Sequence, residues 1–161
     1  MAATRDIVAS YRGPGRVVRR MLAQGPREDR NLIFLMVGCL LFFVAQTPRL
    51  AREAVETDQD LGMLMGASLM ALIFIAPLLL YLLAGLTWLV GRLLRTGMSP
   101  FGARLALFWA FLASSPLVLL WGLTAGFIGP GIEMTLTGML WFGIFAWFWI
   151  GGLRAAARAE A

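Results

Sequence analysis

Every basic side chain in this sequence is an arginine: there are fourteen Arg, no lysine and no histidine, set against nine acids and a single cysteine, Cys39. Arginine stays protonated at any working pH, so it can hold an anion but cannot take a proton as a general base. Without histidine there is no imidazole acid or base, no Ser-His-Asp triad, no Cys-His nucleophile and no histidine ligand for haem. One cysteine allows neither a multi-Cys metal site nor a disulfide within the chain. The acids Glu53, Glu56, Asp58 and Asp60 lie close together, but their spacing matches no calcium loop. Ser114 and Ser115 precede Pro116 directly, and no base accompanies them. We expect no enzymatic activity, no metal and no cofactor.

The elements around these residues follow from where charge is missing. The chain has 161 residues, 60% hydrophobic and 14% charged, against about 25% charged in soluble domains. No charge occurs in 31–48, 61–91, 105–132 or 134–153. A helix crossing the hydrocarbon core needs roughly 20 residues, so each segment holds one span. Two spans and a turn within 61–91 would need about 40 residues, so one long helix is expected there, bent at Pro77 or Gly85. The expectation is an all-α, polytopic membrane bundle with four transmembrane helices, at about 31–48, 64–91, 104–128 and 132–153. Residues 1–30 form a basic N-terminal segment, 31–154 one membrane domain, and 155–161 a tail. Thirty charge-rich residues before the first apolar run argue against a cleaved signal peptide.

Orientation follows from arginine placement. Residues 1–30, the 92–104 connection and the tail hold twelve arginines, while the 49–60 loop holds Arg49 and Arg52, and the Gly129-Pro130-Gly131 turn has none. Both termini are therefore expected in the cytoplasm of a bacterial cell, with the protein in the inner membrane. Trp88, Trp109, Trp147 and Trp149 then fall in an aromatic belt at the inner leaflet.

Residues 14–24 read as an amphipathic helix, opened by Pro14 and stopped by Gly25-Pro26. Val17, Val18, Met21 and Leu22 share one face; Arg12, Arg16, Arg19 and Arg20 flank it. Such a helix lies in the headgroup layer and is attracted by anionic lipid; docking onto a partner is the alternative. No aromatic interleaving points to nucleic acid. Small residues recur at close-approach spacing: Gly62 and Gly66; Ala106, Ala110 and Ser114; Gly122 and Gly126. They serve either packing within the bundle or a seam to a second copy or partner. Pro77 and Pro116 break helices, which either lines a cavity, as in transporters, or is satisfied locally. Trp141, Phe142, Phe145, Trp147, Phe148 and Trp149 crowd the fourth span; they surround the helix, so some must meet lipid or another chain.

These features resemble the Yip family of Rab-GTPase-interacting membrane proteins and their bacterial relatives. The resemblance rests on Ala76-Pro77, on Gly97, Met98, Ser99 and Pro100, on Arg104, and on Ser115-Pro116-Leu117. The stretch from Leu140-Trp141 to Gly152-Leu153-Arg154 and the run at 11–20 add to it. The family usually has five spans, and a fifth is missing here. The resemblance implies a non-enzymatic role in membrane organisation, shaping or scaffolding. Two other roles remain open: an accessory subunit of a respiratory or photosynthetic complex, and a small transporter or channel subunit.

Overall fold

The computed structural model describes residues 3–159. All of its elements are helical: α1 (Ala3–Ser10), α2 (Pro14–Leu22), α3 (Glu28–Thr57), α4 (Leu61–Leu93), α5 (Pro100–Ile128) and α6 (Ile132–Ala159). The last four are each long and apolar enough to cross a membrane. The expected all-α bundle with four candidate spans is therefore present.

Helix α5 is the axle. In its apolar stretch 72% of residues are buried, against 33% in α3, 17% in α6 and 6% in α4. Its first half carries Ala103, Ala106, Ala110 and Ala113, all fully buried. Small side chains let three neighbours approach the same helix. Leu105, Leu107, Phe108 and Trp109 fill the spaces between them and are also buried. Phe34 of α3 meets Trp109 edge-on at 5.0 Å, and Tyr81 of α4 meets Phe108 at 4.9 Å.

Each of the four long helices extends past its expected span; α6, for one, runs on to Ala159. Helix α3 continues through Pro48 to Thr57, so the connection after the first expected span is helical. Proline removes one N–H from the ladder, which frees the Val44 carbonyl, and the Thr47 hydroxyl donates to that oxygen at 2.8 Å. Beyond it, Arg49–Glu53 and Arg52–Glu56 ion pairs at 3.0 and 2.6 Å brace the next turn. The helix ends where Asp58 turns left-handed, at φ 53°. The third span likewise begins earlier, at Pro100, because Ser99 caps it: the Gly102 amide donates to the Ser99 hydroxyl at 3.0 Å.

Helix α4 is continuous, as expected, and keeps regular α-helical bonding around Gly85. The adjustment lies just before Pro77, where the Ala76 amide reaches back five residues to the Ala71 carbonyl. One such wide turn takes up the missing proline bond.

Glu28 at the start of α3 is ion-paired with Arg104 of α5. Met98, Ala103 and Ala156 pack together with Leu22, Trp88 and Leu153. The start of α3, the end of α4, the start of α5 and the end of α6 therefore meet at one end of the bundle. At the other end the Arg52 guanidinium donates to the Gly126 carbonyl at 3.4 Å. Among the described residues the first end carries twelve arginines and three acids, the second two arginines and five acids.

Candidate functional site

The feature that this frame positions is a hairpin made by α1 and α2. Gly13 and Pro14 start α2 without a side-chain cap, and its end is followed by Gly25 at φ +86°. Asp6 of α1 is ion-paired with Arg20 of α2, which ties the two arms together. The tip goes inward. The Ser10 hydroxyl is fully buried, donates to the Asp6 carbonyl at 2.8 Å and accepts the Trp109 indole N–H at 2.9 Å. Tyr11 packs edge-on against Phe148 of α6 at 4.9 Å, and its hydroxyl donates to the Ala113 carbonyl at 3.4 Å. Burial pushes the Tyr11 phenol above its usual range, so it remains a donor.

The depth of the tip follows from α5. Ala113 lies nine residues past Arg104, the last charge on that helix. At 1.5 Å per residue this is about 13 Å along α5 from its one charged residue. The hairpin stands beside α5, reaching α3 where the Arg30 guanidinium donates to the Met21 carbonyl at 2.9 Å and α6 through Phe148.

This corrects the expectation for α2. Val17, Val18 and Met21 are buried in the protein core and Leu22 packs against it; their face is covered by α5 and α6 rather than by headgroups. The approach is backbone-close. A Cβ on Gly15 would lie 3.1 Å from the Gly151 carbonyl oxygen, and one on Gly151 would lie 2.9 Å from Pro14 Cγ. Gly152 faces Ala106 and Val18 in the same way. The sequence reading missed Gly15, Gly151 and Gly152 as a seam, although the Gly-Gly pair in a span was the available signal. Arg12, Arg16 and Arg19 remain exposed on the outer face, while Arg20 is engaged with Asp6.

The other expected site residues divide. Gly122 and Gly126 pack against α3 within the chain: Cβ atoms there would run into the backbone of Ala45 and of Pro48. Ala106 and Ala110 are buried, and the Ser114 hydroxyl donates to the Phe111 carbonyl at 3.1 Å while accepting the Trp141 indole at 3.2 Å. Gly62 and Gly66 are exposed, and Gly66 has no neighbour within 4 Å of its Cβ direction. Gly62 meets only the side chain of its own helix cap, Asp60, so neither glycine packs against another helix of this chain.

Pro116 is exposed and faces away from the bundle centre. The carbonyl groups near the break are taken up by Ser114 and Tyr11. Trp109 is not a belt residue, because it is buried in the core. Phe148 is buried too; Phe142 and Trp147 are exposed. Trp141 and Phe145 stack at 5.9 Å, and Phe145 and Trp149 meet at 5.8 Å, so these three form a stripe along α6, half-buried beside Phe42. Among the described residues no group of three His, Cys, Asp or Glu side chains could hold a metal ion.

Fold and hairpin together define an all-α chain with four candidate membrane spans and a helical wedge at one end. No family model matches the chain, and no curated protein or solved structure matches it either.

Proposed function

We propose that the chain is a non-enzymatic, multi-pass protein of the bacterial inner membrane that organises or shapes the bilayer, with both termini in the cytoplasm. One observation carries this reading: the bundle is wider at one end. Six helices stand together where the hairpin packs and four at the opposite end. A helix with its side chains is about 10–12 Å across, so two more add on the order of 200 Å² to one leaflet. A body wider in one leaflet favours a membrane convex on that side. The wide end is also the arginine-rich end, which the positive-inside rule assigns to the cytoplasm. The Yip-like stretches at 76–122 and 140–154 agree with such a role in kind, and that likeness is part of the proposal.

The test is curvature sorting. Fluorescently labelled protein is reconstituted in one orientation, arginine-rich end outward, and a narrow tether is pulled from the vesicle. Protein is expected to enrich on the tether. Equal density on tether and parent vesicle would overturn the wedge.

A second reading, an accessory subunit of a larger membrane complex, is favoured by α4, of whose apolar stretch only 6% of residues are buried. Gentle-detergent purification with cross-linking and mass spectrometry separates it from a free-standing protein. The helix breaks give no support to a transporter or channel subunit: Pro116 faces outward, and the space beside α5 is filled by Trp109, Phe108 and Phe148.

A further inference from the structure

Because Gly15 and Gly151 let α2 lie directly on α6, two arginines from each helix line one groove. Arg16 and Arg19 come from α2, and Arg154 and Arg158 from α6; the groove has a volume of about 430 Å³. All four are exposed. Among the described residues no carboxylate pairs with any of them. The two other arginines flanking α2 and α5 that do have acids, Arg20 and Arg104, use Asp6 and Glu28. Four guanidinium groups around one opening repel one another unless an anion enters. Guanidinium is the group best matched to phosphate oxygens, which it engages through paired N–H donors.

The surroundings identify what kind of phosphate. Trp147 closes the groove toward the bundle centre and is 47% exposed. Ile150, on the next turn of α6, is 46% exposed. Both lie in the charge-free stretch 134–153, so the site is charged at its outer edge and apolar at its inner edge. A soluble phosphate compound needs only the first half of this arrangement. A phospholipid uses both: phosphate among guanidiniums, glycerol at the rim, and acyl chain along an indole that suits the membrane interface.

We propose that this groove binds one anionic phospholipid of the leaflet that surrounds the hairpin, with its phosphate held by Arg16, Arg19, Arg154 and Arg158. The inference rests on reading the arginine-rich end as the cytoplasmic end of a membrane-spanning bundle. It differs from diffuse attraction of a basic surface, because it joins two segments about 140 residues apart and requires α2 to stand on α6. The lipid in turn bridges α2 to α6 and holds the wedge closed.

The experiment is native mass spectrometry of the full chain in a mild detergent, with phosphatidylglycerol or phosphatidylcholine added at matched concentrations. One retained phosphatidylglycerol per chain is expected, with retention of phosphatidylcholine at least tenfold weaker. The double variant Arg154→Gln/Arg158→Gln is expected to lose that preference, and Arg16→Gln/Arg19→Gln to lose it equally. Arg92→Gln/Arg95→Gln removes the same charge from the same end, outside the groove, and is expected to keep it. Equal loss in all three variants would mean diffuse electrostatics and overturn the site. So would equal retention of the two lipids by the native chain. Inorganic phosphate at millimolar concentration is expected not to displace the lipid, whereas Trp147→Ala is expected to weaken it. Displacement by phosphate with no effect of Trp147→Ala would make the groove a site for a soluble anion and refute the lipid. Because lipid is offered in detergent, the groove is tested apart from orientation and curvature: failure here leaves those results standing, whereas failure of the orientation would remove the leaflet assignment and leave only the anion preference of the groove.

Discussion

Gly122 offers the most direct check on the packing that makes α5 the axle. A Cβ placed there would lie 2.6 Å from the Ala45 carbonyl carbon and 3.1 Å from its Cα. Carbon atoms pack best at about 3.5–4.0 Å, and the Ala45 carbonyl oxygen stands nearer to the Cβ than either carbon, so α3 and α5 must part by more than about 1 Å. No rotamer change can relieve this, since the obstructing atoms are backbone. Overpacking of this kind costs about 1–3 kcal/mol, and a clash with backbone belongs at the upper end. Replacing glycine by alanine inside a helix returns about 1 kcal/mol of propensity. The expected net loss for Gly122→Ala is therefore about 2 kcal/mol, a factor of roughly 30 in the folding equilibrium. Gly66→Ala, with nothing within 4 Å, gains the propensity term alone and serves as the control. Equilibrium unfolding in mixed micelles, followed by tryptophan fluorescence, measures both. Adding Ala45→Gly to Gly122→Ala should restore little, because the carbonyl remains. If Gly122→Ala is as stable as Gly66→Ala, the close crossing of α3 and α5 is wrong.

The hairpin and the orientation give two further expectations. A double-mutant cycle of Trp109→Phe and Ser10→Ala should show a coupling of about 1 kcal/mol, from the buried indole–hydroxyl bond; a coupling near zero would detach the hairpin tip from α5. After Cys39→Ala, single cysteines at Thr57, Thr96 and Ala159 should react with an impermeant thiol reagent in intact cells only at Thr57, and outside labelling at Ala159 would refute the cytoplasmic placement of both termini.

The four spans could be read from the sequence because arginine and carboxylates cannot be hidden in hydrocarbon, so the charge-free segments mark the helices regardless of how they pack. The limits were less legible. The charge-free segment ends at Pro48, whereas Thr47 beside it supplies the missing bond and the helix itself continues to Thr57. The hairpin was legible only in half. The spacing of Val17, Val18, Met21 and Leu22 gives an apolar face, but an apolar face has the same pattern whether lipid or protein covers it. What separates the two cases is the opposing surface, Gly151 and Gly152, and that match lies about 130 residues away in the chain. Helix α1 carries no comparable periodicity, and its role hangs on Ser10 and Tyr11, two polar residues whose partners are on α5.

The same ambiguity explains why the most apolar helix is the least buried. In water, apolar side chains gain by leaving the solvent, so the most hydrophobic helix belongs inside. In a bilayer the solvent is itself apolar, and that preference disappears. Helix α4 is the most apolar of the four spans and 6% buried, whereas α5 is less apolar and 72% buried. What decides the centre is how closely backbones can meet. Helix α5 offers Ala103, Ala106, Ala110, Ala113, Gly122 and Gly126 along its length, and each faces a neighbour or lies fully inside. Helix α4 offers Leu78, Leu79, Leu82, Leu86 and Leu89, all exposed. Its own glycines, Gly62, Gly66 and Gly85, face no other helix of this chain. Small residues on one helix become a seam only where a second helix presents backbone at the same height. That condition is met for α5 by α3 and for α6 by α2. The wedge at the arginine-rich end is thus a consequence of glycine placement, with hydrophobicity supplying the membrane and glycine supplying the shape.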